Sequence, residues 1–189
     1  MVKLYTDTHL ERKKGVMPNE VHSTQLPKVL HQPVNYVTGT WAVSGYGLRL
    51  GKTAITLTAI NDLKYNRFAI NKVLVIAPKK VAESTWVREA KKWDHLQLLR
   101  FSICLGSKTK RVRALNTPAD IYVINRENVP WLVDYYRNEW PFDMVVIDEF
   151  SSFKNHQAKR FKALKNVRPH IKRIVGLTGT PAPNGLLDL

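Results

Sequence analysis

Two short stretches carry the residue types that could do chemistry. The first is Met144-Val145-Val146-Ile147-Asp148-Glu149, an apolar run ending in two adjacent carboxylates. The second, far upstream, is Gly51-Lys52-Thr53, which opens an amphipathic segment. A buried strand that delivers an acid pair and a Lys-Thr at a helix start are the two halves of a magnesium–nucleoside-triphosphate site. Lys52 would contact the β- and γ-phosphates, and the Thr53 hydroxyl would ligate Mg2+. Asp148 would hold the same ion through its water shell. Glu149 would orient and deprotonate an attacking water. Either half alone has a bland reading, a glycine turn before a helix or a surface Asp-Glu after a strand. In this order the two together point to an ATPase.

A third element follows. The apolar run ending at Leu177 leads into Thr178-Gly179-Thr180-Pro181. Hydroxyls at the tip of a strand beside the acid pair could sense the γ-phosphate, which makes Thr178, Gly179 and Thr180 candidate coupling residues.

These groups need elements to position them, and the chain supplies a regular alternation. Short apolar runs at 41–44, 73–77, 98–105, 121–124, 144–147 and 171–177 read as strands. Between them, 52–63, 83–93, 108–115, 131–140 and 156–167 read as helices. Such alternation implies βαβ units and a doubly wound, mostly parallel α/β sheet covered on both faces. Ligands of such sheets bind beyond the carboxyl ends of the strands. Both Gly51-Lys52-Thr53 and Asp148-Glu149 fall at such ends. Residues 1–40 differ: they hold Pro18, Pro27, Pro33 and scattered charge, and are expected to be irregular, with the folded lobe spanning 41–189.

Composition narrows the class. At 189 residues and 44% hydrophobic, the chain can bury the core of one domain. Its net charge of +15 favours a polyanionic partner, nucleic acid above all, with a merely solvated basic surface as the alternative. One cysteine, Cys104, excludes an internal disulfide framework or a multi-cysteine zinc site. No apolar run reaches the ~18 residues of a membrane span, and no signal-peptide core opens the chain. The expected setting is a reducing cytoplasm, with no membrane partner.

Set side by side, the motifs resemble the first motor domain of a superfamily 2 helicase, in its Swi/Snf-type (DEAD/DEAH-like) branch, phage-encoded members included. The resemblance runs from about Gly45 to Leu189. Val75-Ile76-Ala77-Pro78 with Trp86 and Trp93 resembles motif Ia and the helix after it; Val123-Ile124-Asn125-Arg126-Glu127 resembles motif Ib. Asp148-Glu149-Phe150-Ser151 with Lys154-Asn155 resembles motif II, and Leu177-Thr178-Gly179-Thr180-Pro181 with Asn184 is similar to motif III. The resemblance implies a RecA-like P-loop lobe that uses ATP and Mg2+ and tracks one nucleic-acid strand. Lys79, Lys80, Ser84 and Arg126 are then the contact candidates, and Gln25 the adenine-reading glutamine, although its Ser23-Thr24-Gln25-Leu26 setting lacks the family's Tyr-Gln context.

Two departures stand out. The family loop reads Met-Gly-Leu-Gly-Lys-Thr, whereas here Arg49 occupies a glycine position. Alternatively, Gly47-Leu48 is the family pair and Arg49-Leu50 is inserted. A guanidinium there either obstructs the phosphate space or attracts phosphate. Ser151 replaces the histidine of motif II.

The sequence ends soon after motif III, so the resemblance implies a second lobe in trans or a truncated product. That lobe brings an arginine finger worth roughly 10³–10⁵ in rate. The rival reading is a non-catalytic basic remnant that binds nucleic acid with its nucleotide site damaged. A small-molecule P-loop kinase is a poorer fit, having no use for Thr178-Gly179-Thr180-Pro181. Clustered Lys and Arg along 154–173 either join the nucleic-acid surface or simply face water. Trp86 and Trp93, seven apart on one helix, read as core rather than as base-stacking platforms.

Overall fold

The apolar runs become the centre of one seven-stranded sheet. In the computed structural model, residues 2–6, 39–45, 51–153 and 159–178 are described. The strands are β1 (Val2–Thr6), β2 (Gly39–Gly45), β3 (Val73–Ala77), β4 (Phe101–Cys104), β5 (Ile121–Asn125), β6 (Met144–Ile147) and β7 (Arg173–Thr178). Their order across the sheet is β1-β2-β7-β6-β3-β5-β4. Every pairing from β2 to β4 is parallel, and β1 joins the β2 edge antiparallel. The fold is therefore α/β and mostly parallel, as the alternation of runs predicted.

Every residue of β3, β5 and β6 is buried. Strict alternation then sends successive side chains to opposite faces. Val73, Val75, Ala77, Met144 and Val146 meet Leu57 and Ile60 of α1 (Lys52–Asn61) and Trp86 of α2 (Lys79–Ala90). Leu74, Ile76, Val145 and Ile147 enter a second core on the other face. There they meet Leu115 of α3 (Lys108–Asn116), Leu132 of α4 (Val129–Tyr136), Phe153 of α5 (Phe150–Phe153) and Leu164 of α6 (Lys159–Val167). Two cores, one on each face, are what double winding requires. Cys104 is free and buried in the second core, where loss of solvation pushes its thiol up to about 12.

Several expected boundaries shift for local reasons. The helix expected at 83–93 begins at Lys79, because Pro78 sits at its N-cap with φ −56° and ψ 146° and leads directly into the first turn. The helix expected at 131–140 begins at Val129, with Pro130 in its first turn, and stops where Arg137 takes φ 48°. The expectation that residues 1–40 are irregular is corrected at Val2–Thr6, which pairs along β2 from Val2 opposite Gly45 to Thr6 opposite Trp41. Val2 and Leu4 alternating with Lys3 is too short a pattern to separate from loop by period alone. Among the described residues no helix is long and apolar enough to cross a membrane.

Candidate functional site

Because the six strands from β2 to β4 run parallel, their carboxyl ends share one rim of the sheet. Register fixes the neighbours along it. Ser44 of β2 lies opposite Thr178 of β7, and Gly176 of β7 lies opposite Ile147 of β6. The tip that leads to Gly51-Lys52-Thr53, the Thr178 tip and the acid pair are thus consecutive. On the far side of β6 come β3, which feeds Lys79 and Lys80, and β5, which feeds Arg126.

The acid pair is shaped by its strand. Asp148 still belongs to the ladder, its N–H donating to the Ile76 carbonyl at 2.8 Å. The chain then turns, with Glu149 at φ 52°, a left-handed conformation that residues other than glycine seldom adopt. Phe150 and Phe153, both buried, pin the next turn to the core. Asp148 therefore points inward and Glu149 outward. One Asp148 oxygen accepts the indole N–H of Trp86 at 3.3 Å, and the other accepts the backbone N–H of Glu149 at 2.9 Å. Burial raises the Asp148 carboxyl above the usual carboxylate range, and repulsion from Glu149 adds to that. The two hydrogen bonds and the Lys52 charge oppose the rise without cancelling it.

Lys52 thus acts electrostatically on Asp148 across the rim, although 96 positions separate them in sequence (148 − 52). The turn that places it needs glycine: Gly51 has φ 112°, and its carbonyl accepts the Ile55 N–H at 2.8 Å as α1 begins. Lys52 and Thr53 are half-buried at the head of α1, and the first turn has no acidic residue to compete for its amides. This donor set fits a magnesium-bound triphosphate. A carboxylate short of partners, a hydroxyl and an ammonium suit a cation held mainly by water and phosphate. Among the described residues no group of three or more His, Cys, Asp or Glu could hold a metal by itself.

The remaining candidates divide. Lys79 and Lys80 are exposed at the start of α2, and Ser84 is half-buried one turn on. Arg126, the fourth nucleic-acid candidate, lies against the acid pair. Its guanidinium donates to Glu149 Oε2 at 2.8 Å. That contact, and the Trp86 hydrogen bond to Asp148, were not anticipated, since nothing in spacing links partners 23 and 62 residues apart. Trp86 is fully buried, as expected of a core residue, and Trp93 packs on the same core with its indole donating to Glu89 at 3.3 Å. On α6, Phe161, Leu164 and Val167 face the core while Lys159, Lys162 and Lys165 are exposed, and Arg160 lies over the Phe153 ring at 5.7 Å. Gln25, Gly47, Arg49, Lys154, Asn155, Gly179 and Thr180 lie outside the described residues, as does the Thr178 side chain.

Comparison with known proteins adds an independent line. The family profile described as SNF2-related domain matches residues 47–189. The p41 protein of Acyrthosiphon pisum secondary endosymbiont phage 1 is 40% identical over 158 residues, covering 80% of this chain and 34% of that protein. The ATP-dependent helicase fft1 of Schizosaccharomyces pombe is 27% identical over 74% of this chain and 15% of its own length. The ATP-dependent DNA helicase DDM1 of Arabidopsis thaliana is 30% identical over 74% of this chain and 19% of its own length. The chain therefore spans about a third or less of each of these relatives.

Proposed function

Because this chain belongs to the SNF2-related domain family and is a helicase-like ATPase domain, we propose that it is the ATP-binding lobe of a DNA-dependent translocase. The observation that carries this reading is the convergence of Lys52 and Asp148 on one rim, with Glu149 turned outward beside them.

In this reading the α1 amides and Lys52 bind and orient the β- and γ-phosphates of ATP. Thr53 and Asp148 hold Mg2+, which neutralises phosphate charge when bound. The shortfall of partners at Asp148 supports that role, because a cation would supply what two neutral donors do not. Glu149 positions a water against the γ-phosphorus and accepts its proton. Thr178 at the end of β7, with Gly179 and Thr180 next in sequence, reports the state of the γ-phosphate, and Gln25 reads adenine.

Lys79, Lys80 and Ser84 contact the nucleic-acid backbone together with Arg126, giving affinity that weakens steeply with salt and carries little sequence choice. The lobe works against a second lobe, on the same polypeptide or a partner chain, that supplies the arginine finger.

A second reading has one observation in its favour. Arg49 in the loop sequence supports a basic remnant that binds nucleic acid without nucleotide. Titration calorimetry of Mg-ATP into wild type, Arg49→Gly and Lys52→Ala separates the two. Binding by wild type, lost in Lys52→Ala, is the expected result. Failure of wild type with rescue by Arg49→Gly would replace the ATPase reading with the remnant. Glu149→Gln should keep nucleotide binding and lose roughly 10²–10⁴ in hydrolysis rate, the range of general-base contributions.

A further inference from the structure

Arg126 follows directly on β5, and Glu149 follows on the Asp148 that caps β6; both strands pair with β3. Two strand spacings, about 10 Å, separate their backbones at that rim, so only long side chains can bridge the β3 tip. They do so at 2.8 Å, from an Arg126 side chain 11% exposed to a Glu149 side chain 61% exposed. The positive φ of Glu149 turns its carboxylate out to where that guanidinium lies. A carboxylate that is to accept a proton from water needs a free oxygen aimed at that water, and a charge-assisted hydrogen bond occupies one.

Arg126 is also bordered on the rim by the tip of β3, where Lys79 and Lys80 stand exposed. A phosphate backbone drawn in by those lysines would meet a guanidinium whose planar fork suits phosphate as well as carboxylate. We propose that Arg126 is a latch on Glu149, holding its carboxylate back from the attacking water until a nucleic-acid phosphate takes the guanidinium over. The inference rests on the ATPase reading above and deepens it. Arg126 is a positioning residue that acts through Glu149, and the device makes hydrolysis conditional on a bound strand.

The test compares wild type, Arg126→Ala, Arg126→Lys and Glu149→Gln under single-turnover Mg-ATP hydrolysis, with and without a short duplex DNA. The Arg126 side-chain Nε–H signal is followed by NMR in parallel. Arg126→Ala should raise the DNA-free rate severalfold, up to roughly fivefold, the factor a modest ion pair can hold back. Its stimulation by DNA should collapse toward unity, with ATP affinity unchanged. Arg126→Lys should restore part of the restraint, which a merely structural arginine would not show.

The Arg126 signal should move on Glu149→Gln in the free protein, and in wild type on adding DNA. This arm decides the matter where hydrolysis is too slow to read. If ATP binds through Lys52 and DNA binds, yet the signal ignores both changes or stimulation survives in Arg126→Ala, the latch is overturned and the ATPase reading stands. If Lys52-dependent ATP binding is itself absent, the ATPase reading falls and the latch falls with it.

Discussion

Asp120 and Asp148 sit at opposite ends of the same sheet, just before β5 and just after β6, and their surroundings treat them differently. Asp120, 0% exposed, accepts from the Arg100 backbone N–H at 2.9 Å and from its guanidinium at 3.2 and 2.9 Å. The Tyr65 hydroxyl at 2.9 Å and the Lys64 ammonium at 3.2 Å complete the set. Burial works to raise its carboxyl, but these donors outweigh it and bring it to about 2. Asp143, at the same amino-end rim, is likewise lowered against burial, by Lys172 at 2.7 Å and by the Asn71 and Lys72 N–H groups. Asp148 has two neutral donors and a more distant cation, and stays raised. An acid that serves the fold carries its partners with it. An acid left short has room for something that arrives later, as the metal role proposed for Asp148 requires.

The comparison breaks most visibly at Asp120. Its folded carboxyl at about 2 lies below the unfolded value near 3.9, so its contribution is full above that value and is lost as pH falls through about 2. Asp120→Asn should cost about 2 kcal/mol at neutral pH, roughly 4–8 °C in Tm for a domain of this size. The variant should also show a shallower acid limb between about pH 4 and pH 2. Thermal melts across pH check both, and a variant as stable as wild type would mean that Arg100 and Lys64 contribute nothing net.

Asp148→Asn should have the opposite sign. A carboxyl raised on folding loses stability as pH climbs from its unfolded value through its folded one, so the ligand-free protein carries that penalty at neutral pH. The asparagine variant should melt slightly higher than wild type without ligand, and gain nothing from Mg-ATP where wild type gains. A fall in ligand-free Tm would show that Asp148 supports the fold as Asp120 does.

How much of this was legible in the sequence follows from range. β3, β5 and β6 announce themselves because both faces are buried and their residues run apolar without a break. The apolar spacing of Phe161, Leu164 and Val167 likewise gives the buried side of α6 away. Legible too were the helix-start position of Lys52 and the strand-end position of Asp148. The Arg126–Glu149 bridge and the Asp120 network were not. They depend on strand order, which places β5 and β6 on either side of β3, and on a loop partner such as Arg100 that no periodicity marks. Motifs mark candidate residues, whereas the long-range partners of those residues arise from which strands happen to be neighbours.

The smallest expected change in ligand binding bears on the indole above Asp148. Trp86→Phe keeps an aromatic ring in the core but removes the Nε1–H that Asp148 accepts at 3.3 Å. Part of the consequence is packing, a loss of about 1–2 kcal/mol for a smaller ring in a filled site. The other part is electrostatic. With one donor gone the carboxyl rises further, because the opposition to burial is weaker. Mg-ATP affinity should then fall more towards acidic pH than towards alkaline pH, because a carboxyl raised further gives up its charge sooner as pH falls. Trp93→Phe is the control, since its indole donates to Glu89, away from the acid pair. It should lose stability without any change in the pH profile of Mg-ATP binding. Two identical profiles, measured by calorimetry at matched ionic strength, would reduce the Trp86 contact to packing. A difference confined to Trp86→Phe would establish that the core of α2 tunes the acid at the rim.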